Sequence, residues 1–136
     1  MSPLFSDLSI ERLNTCHPFL HSLFSEVIEH YDCTIICGHR GEEDQNVAFV
    51  AGNSKVSWPN SKHNLDPSRA VDVAPWYKES PHIRWEDKRK FYYFGGLVKG
   101  VAMNLGFDIR WGGDWDSDTD LDDQSFNDLV HFEIIL

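Results

Sequence analysis

The sequence contains no apolar run of the ~18 residues that a helix needs to span a bilayer. Its first residues, Met1 to Leu8, hold neither a basic stretch nor a long apolar segment, so no secretory signal is expected. The chain is expected to be made in a cytosol and to act outside it only if something else exports or releases it. Basic residues are scarce. Twelve Lys and Arg stand against 22 Asp and Glu, a formal net charge of -10. A polyanion would be repelled, so nucleic acid is not an expected partner. Cysteine is also sparse. Cys16, Cys33 and Cys37 are an odd count in a chain of cytosolic origin, which argues against a disulfide framework. Cys33 and Cys37 lie four apart in a strand-like stretch, a spacing that puts both on one face as small buried hydrophobes.

What is present suffices for one packed domain over residues 1–136. Hydrophobic residues make up 41% of the chain, which excludes a disordered segment. Pro18 to Tyr31 reads as a helix: Leu20, Leu23, Phe24, Val27, Ile28 and Tyr31 recur on one apolar face, and Pro18 suits the first turn. A short helix from about Ser9 precedes it. Cys33 to Cys37 reads as a buried strand ending at Gly38. Glu42 to Ala51 reads as a helix closed by Gly52. Asn53 to Arg69, rich in Pro, Ser and Asn, reads as loop. Ala70 to Ala74 is a strand stopped by Pro75, and Glu86 to Leu105 a long helix ended by Gly106. Within that helix Gly95 and Gly96 point to close packing. Phe107 to Trp111 and Leu129 to Ile135 are strands flanking a polar loop. The order predicts an α+β fold with a small, largely antiparallel sheet flanked by helices. A monomer is expected.

Three side chains are out of place in their surroundings. Asp72 lies between Val71 and Val73, and His131 between Val130 and Phe132. His63 sits in the loop string Ser61-Lys62-His63. A carboxylate among valines is costly unless it is paired or binds a metal. Two His and one Asp meet the ligand count of a catalytic zinc, one ion per chain, whose fourth position is open to water. Asp128, three residues before His131, is placed to serve as general base. Arg40, after Gly38-His39, is placed to bind a substrate carboxylate or an oxyanion. From spacing alone, a satisfied strand histidine and a capping aspartate remain the competing account.

The motifs taken together resemble a known family. Ser61-Lys62-His63, followed by Asp72 in Ala70-Val71-Asp72-Val73-Ala74-Pro75, resembles the Ser-x-His…Asp motif of the D-alanyl-D-alanine metallopeptidases. That family includes the vancomycin-resistance D-Ala-D-Ala peptidases and the phage L-alanyl-D-glutamate endolysins. Asp128-x-x-His131 is similar to its acidic-x-x-His motif. Gly38-His39-Arg40 with Gln45, and Arg110 to Trp115, are similar to the endolysin branch. The resemblance runs from about Leu13 to Ile134. It implies a hedgehog/DD-peptidase-like fold and zinc on His63, Asp72 and His131. It also implies a catalytic Asp128 and an assisting Arg40, with peptidoglycan stem peptides cleaved at the L-alanyl-D-glutamate bond. Ser61, Gln45 and His39 become candidate substrate contacts, as do Trp76 and Trp111, which follow the site strands. The gap of nine residues from His63 to Asp72 is wider than the seven common in the family. The alternatives are a D-Ala-D-Ala carboxypeptidase or dipeptidase, and a non-catalytic zinc-binding module of the same fold.

Other clusters carry weaker signals. His17 and His21 have helical ligand spacing but no third ligand nearby. The alternating acids from Asp114 to Asp123 resemble the start of a calcium-binding loop. They lack the glycine and the closing glutamate of an EF-hand, so a solvated acidic loop is the default and a calcium ion the alternative.

Overall fold

The computed structural model of the chain describes residues 3–122 and 126–136. Helix α1 (Asp7–Leu13) starts where the Ser6 hydroxyl accepts from the Ser9 amide. Helix α2 (Pro18–His30) starts on Pro18, and His17 Nδ1 accepts from the Phe19 amide. That contact gives His17 a capping role. Strand β1 (Cys33–Cys37), helix α3 (Glu42–Val50) and a 3-10 turn (Lys62–Asn64) follow, then strand β2 (Ala70–Pro75). Helix α4 (Lys88–Leu105), strand β3 (Ile109–Gly112) and strand β4 (Asp128–Ile134) complete the fold.

The sheet is antiparallel throughout, in the order β1-β2-β4-β3. Helices α2 and α4 pack together, α4 against β2, β3 and β4, and α1 lies on β1. This is the expected α+β architecture, and the element bounds differ from expectation in small, explicable ways. Strand β3 begins at Ile109 because Phe107 closes α4: its amide donates to Ala102 O while Gly106 adopts φ 81. A left-handed residue at this position is what glycine allows.

Phe24, Phe94 and Phe132 are fully buried and meet edge to face, at centroid distances of 5.6 and 6.0 Å from Phe132. Trp111 joins them from β3, and its indole N–H donates to Leu129 O on β4. Gly95 makes room for that indole: a Cβ there would fall inside the Trp111 ring. Gly96 faces outward and a Cβ there meets nothing, so close packing explains only the first of the two glycines. Among the described residues no helix is long and apolar enough to cross a membrane.

The two glycines therefore make opposite predictions. Gly95→Ala should destabilise the fold by about 1–3 kcal/mol through overpacking. Gly96→Ala should stabilise it by roughly 0.5–1 kcal/mol through helix propensity. Thermal melts of the two single variants check both signs.

Candidate metal centre

The sheet order explains why distant residues meet. Strand β2 lies between β1 and β4, and Asp72 is registered directly against His131. Directly opposed residues project to the same face, so the carboxylate and the imidazole share one side of the sheet. His63 arrives on the 3-10 turn, which a reciprocal cap fixes. Ser61 Oγ accepts from the His63 amide, and Asn64 Oδ1 accepts from the Ser61 amide. Two backbone bonds pin the turn to the sheet region, Arg40 N to His63 O at 2.9 Å and Arg69 N to Lys62 O at 3.1 Å. The nine-residue gap thus closes without separating His63 from Asp72.

Three groups converge on Asp72. His63 Nε2 lies 3.2 Å and His131 Nδ1 3.4 Å from Asp72 Oδ1, while Arg40 Nη2 donates to Oδ2 at 3.2 Å. Each imidazole is tied at its far nitrogen. His63 Nδ1 donates to the Gly38 carbonyl at 2.7 Å, and His131 Nε2 meets Glu133 Oε1 at 2.8 Å. A carbonyl only accepts, so Nδ1 of His63 carries the proton and Nε2 presents its lone pair. The Glu133 carboxylate acts likewise on His131, leaving Nδ1 for the centre. Donors on a tetrahedral zinc, with bonds of ~2.0–2.1 Å, lie roughly 3.3 Å apart. The two separations from Asp72 Oδ1 match, and the N, N, O set suits zinc. His63, Asp72 and His131 are therefore candidate donors for the ion.

Electrostatics agree with the geometry. Burial draws the His63 pKa down, but the Asp72 carboxylate outweighs it and lifts the group to about 10. His131 is also raised, burial again being overcome by Asp72 and Glu133. Burial alone would raise Asp72, yet the two imidazoles hold it well below the usual carboxylate range. A cation at this point takes over the role that protons play in its absence. Asp128 behaves oppositely: burial first, then the Asp72 charge, pushes it up to about 6. Its carboxylate oxygen clusters with ligand atoms of Asp72 and His131, all within 4.8 Å of one another. Gly112 makes that position possible. It pairs with Asp128, and a Cβ on it would strike the Asp128 carbonyl.

A cavity of about 400 Å³ opens over the cluster, lined among others by Arg40, Lys55, Ser61, Trp115, Phe126 and Asp128. The remaining candidates fall outside it. Gln45 is fully buried beneath the wall, His39 is exposed elsewhere, and neither lines the cavity. Trp111 is 3% exposed and belongs to the core, facing α4 through the gap at Gly95. Trp76 leaves the far end of β2, where its amide donates to Asp32 O and its ring stacks on His82 at 4.3 Å. The indole at the site is Trp115, 5.1 Å from the His131 ring, with Nε1 donating to Phe126 O at 2.6 Å. Glu133 was legible as a strand acid two residues from His131, although its orienting role was not.

Cys37 also departs from expectation. A bulge between Ile35 and Cys37 breaks the alternation, and Cys37 pairs with Asp72. It therefore sits on the Asp72 side, with its sulfur within 4.8 Å of ligand atoms of His63 and Asp72, rather than beside Cys33 in the core.

The fold and these motifs define a class, and the comparisons name the family. The structure of Serratia marcescens ChiX, an L-Ala D-Glu endopeptidase, superposes with a TM-score of 0.74 at 22% identity, covering 97% of this chain and 90% of that one. The L-alanyl-D-glutamate peptidase of Escherichia phage T5 is 29% identical over 128 residues, 91% of this chain and 90% of the relative. Residues 1–135 match the phage L-alanyl-D-glutamate peptidase family, and the chain belongs to it.

Glu133→Ala should leave the His131 Nε2 proton without its acceptor and weaken zinc binding about 10–100-fold. Competition against a chromogenic chelator measures this directly. Unchanged affinity would remove the orienting role given to Glu133.

Proposed function

We propose that this chain is a zinc-dependent endopeptidase that cuts peptidoglycan stem peptides at the L-alanyl-D-glutamate bond. On this reading it acts at the bacterial cell wall as an endolysin, after release from the host cytoplasm. The observation that carries the reading is the convergence of His63 Nε2 and His131 Nδ1 on Asp72 Oδ1, with Asp128 in the same cavity. Family membership supplies the bond.

Bound zinc supplies a Lewis acid that polarises a carbonyl and makes water a better proton donor. His63, Asp72 and His131 would hold it. Asp128 takes the proton from the attacking water and returns it to the departing D-glutamate nitrogen. A carboxylate that accepts one proton and gives it back serves both transfers. Arg40 is braced by Gln45 and Asp72 and turns its guanidinium to the cavity, where it stabilises the oxyanion. Ser61 holds the His63 turn and borders the substrate path.

Purified protein should release muropeptides with new N-terminal D-glutamate, detected by mass spectrometry. Chelation should stop this and zinc restore it. Asp128→Ala should cut the rate by about 10²–10⁴ while zinc still binds. Free D-alanine as product would instead establish a carboxypeptidase. Zinc binding at one equivalent without cleavage would leave a binding module.

A calcium ion in the loop after Asp114 is the second cation of the reading. Asp114, Asp116 and Asp118 bring carboxylate oxygens within 4.8 Å of one another. Asp114 is 5% exposed, and its Oδ1 is buried without a hydrogen-bond partner among the described residues. An anionic oxygen left so is costly, and a hard cation removes the cost. Asp123, the end of the acidic run, lies outside the described residues. Millimolar calcium should raise the melting temperature of the zinc-loaded protein, and Asp114→Asn should abolish the rise. No shift in the parent protein would remove the site.

A further inference from the structure

The cavity wall carries three acids, Asp72, Asp128 and Glu133, and three cations, Arg40, Lys55 and Lys62. Arg40 is engaged by Asp72 and Gln45, and Glu133 feels the charge of Lys62. Lys55 has no acidic partner among the described residues. Its ammonium stands 5.0 Å over the Phe126 ring. A π face holds a cation without neutralising it, so the charge stays available to a ligand.

The backbone under Lys55 is built rather than loose. Gln45, fully buried, donates from Nε2 to Ser54 Oγ at 2.9 Å and to Val56 O at 2.7 Å, one on each side of Lys55. Gln45 Oε1 accepts from Arg40 Nη1 and from Asn64 Nδ2. One buried amide thus fixes the position of Lys55 relative to Arg40 and to the turn that carries His63. On the other side, Phe126 stacks on Trp115, and Trp115 meets His131. Lys55 therefore lines the cavity between two walls that both run back to the metal centre.

The proposed substrate carries an anion beside its scissile bond, and Lys55 lines the same cavity as the metal centre. D-Glutamate in a stem peptide is linked onward through its side-chain carboxyl. Its α-carboxyl is left on the carbon that bears the scissile nitrogen, either free or as a carboxamide. We propose that Lys55 is a specificity residue that binds this free α-carboxylate, so that the enzyme selects stems carrying D-glutamate over stems carrying D-isoglutamine. The inference rests on the peptidase reading above. It adds the group on the substrate that is read and the side chain that reads it. A charge-assisted contact is the stronger kind of hydrogen bond, and an amide in place of the carboxylate loses that assistance. Discrimination of this type should weaken as salt screens the pair.

The test uses the zinc-loaded full chain with two synthetic muropeptides that differ only in carboxylate or carboxamide at that carbon. The parent protein should favour the carboxylate by about tenfold in kcat/KM, less so at high salt. Lys55→Met keeps the length and the apolar contact with Phe126. It should raise KM for the carboxylate substrate by about tenfold and leave the carboxamide within about twofold. Lys55→Arg should restore most of the preference. Equal losses on both substrates in Lys55→Met would show a structural role only and overturn the proposal, as would a parent protein that cleaves both equally. Cleavage of neither substrate by the parent protein would overturn the peptidase reading itself, a result distinct from the other two.

Discussion

Asp72 places a carboxylate in the middle of a strand whose six residues are all buried, and the surrounding structure is arranged to compensate for it. Stripping water from an anion costs several kcal/mol, which only opposite charge and hydrogen bonds in good geometry can offset. Both carboxylate oxygens are engaged, one by Arg40 and the other by two imidazoles. Each partner is in turn fixed by a further group: Gly38 O for His63, Glu133 for His131, and Gln45 for Arg40. Removing any of these leaves a charge or a proton unpaired at depth, so the network holds together as a unit.

The sheet order makes this possible with few residues. Had β4 followed β2 through a local hairpin, the chain between them could not supply α4, and the core under the sheet would be missing. With α4 and β3 inserted before it, β4 returns to the centre. Its first residue is Asp128; His131 and Glu133 follow two apart on one face, beyond the register irregularity at Trp111/Gly112. The close approach of Gly112 to the Asp128 carbonyl then sets where β4 begins. Packing at a glycine thus bears on the position of the Asp128 carboxylate.

Much of this was legible because the residues broke local rules. An aspartate between valines and a histidine between valine and phenylalanine contradict the apolar period of a buried strand, and such contradictions mark functional positions. Strand β1 was legible to the residue because a run of β-formers stops at Gly38. What remained hidden depends on contacts far along the chain. The bulge that turns Cys37 toward Asp72 leaves no trace in composition. The space for Trp111 is made by Gly95 on another element, so following a site strand was a poor guide to lining the cavity. Gln45 was legible as part of a motif, but its burial as a clamp beneath the wall follows only from where residues 54–56 return.

Charge is distributed with a purpose that the net value conceals. An acidic chain meeting an acidic polymer is repelled at long range, and salt confines that repulsion to about 8 Å at physiological ionic strength. Inside that distance local charges decide. The cavity is lined by Arg40, Lys55 and Lys62, while Asp114, Asp116 and Asp118 flank Trp115 in the loop. Trp115 touches His131 on one side, and its neighbour Asp114 carries the unpartnered oxygen on the other. A divalent cation held by Asp114, Asp116 and Asp118 would offset most of the negative charge nearest the entrance. It would also brace the indole that forms the wall. The approach of an anionic stem and the rigidity of the cavity would then depend on one loop.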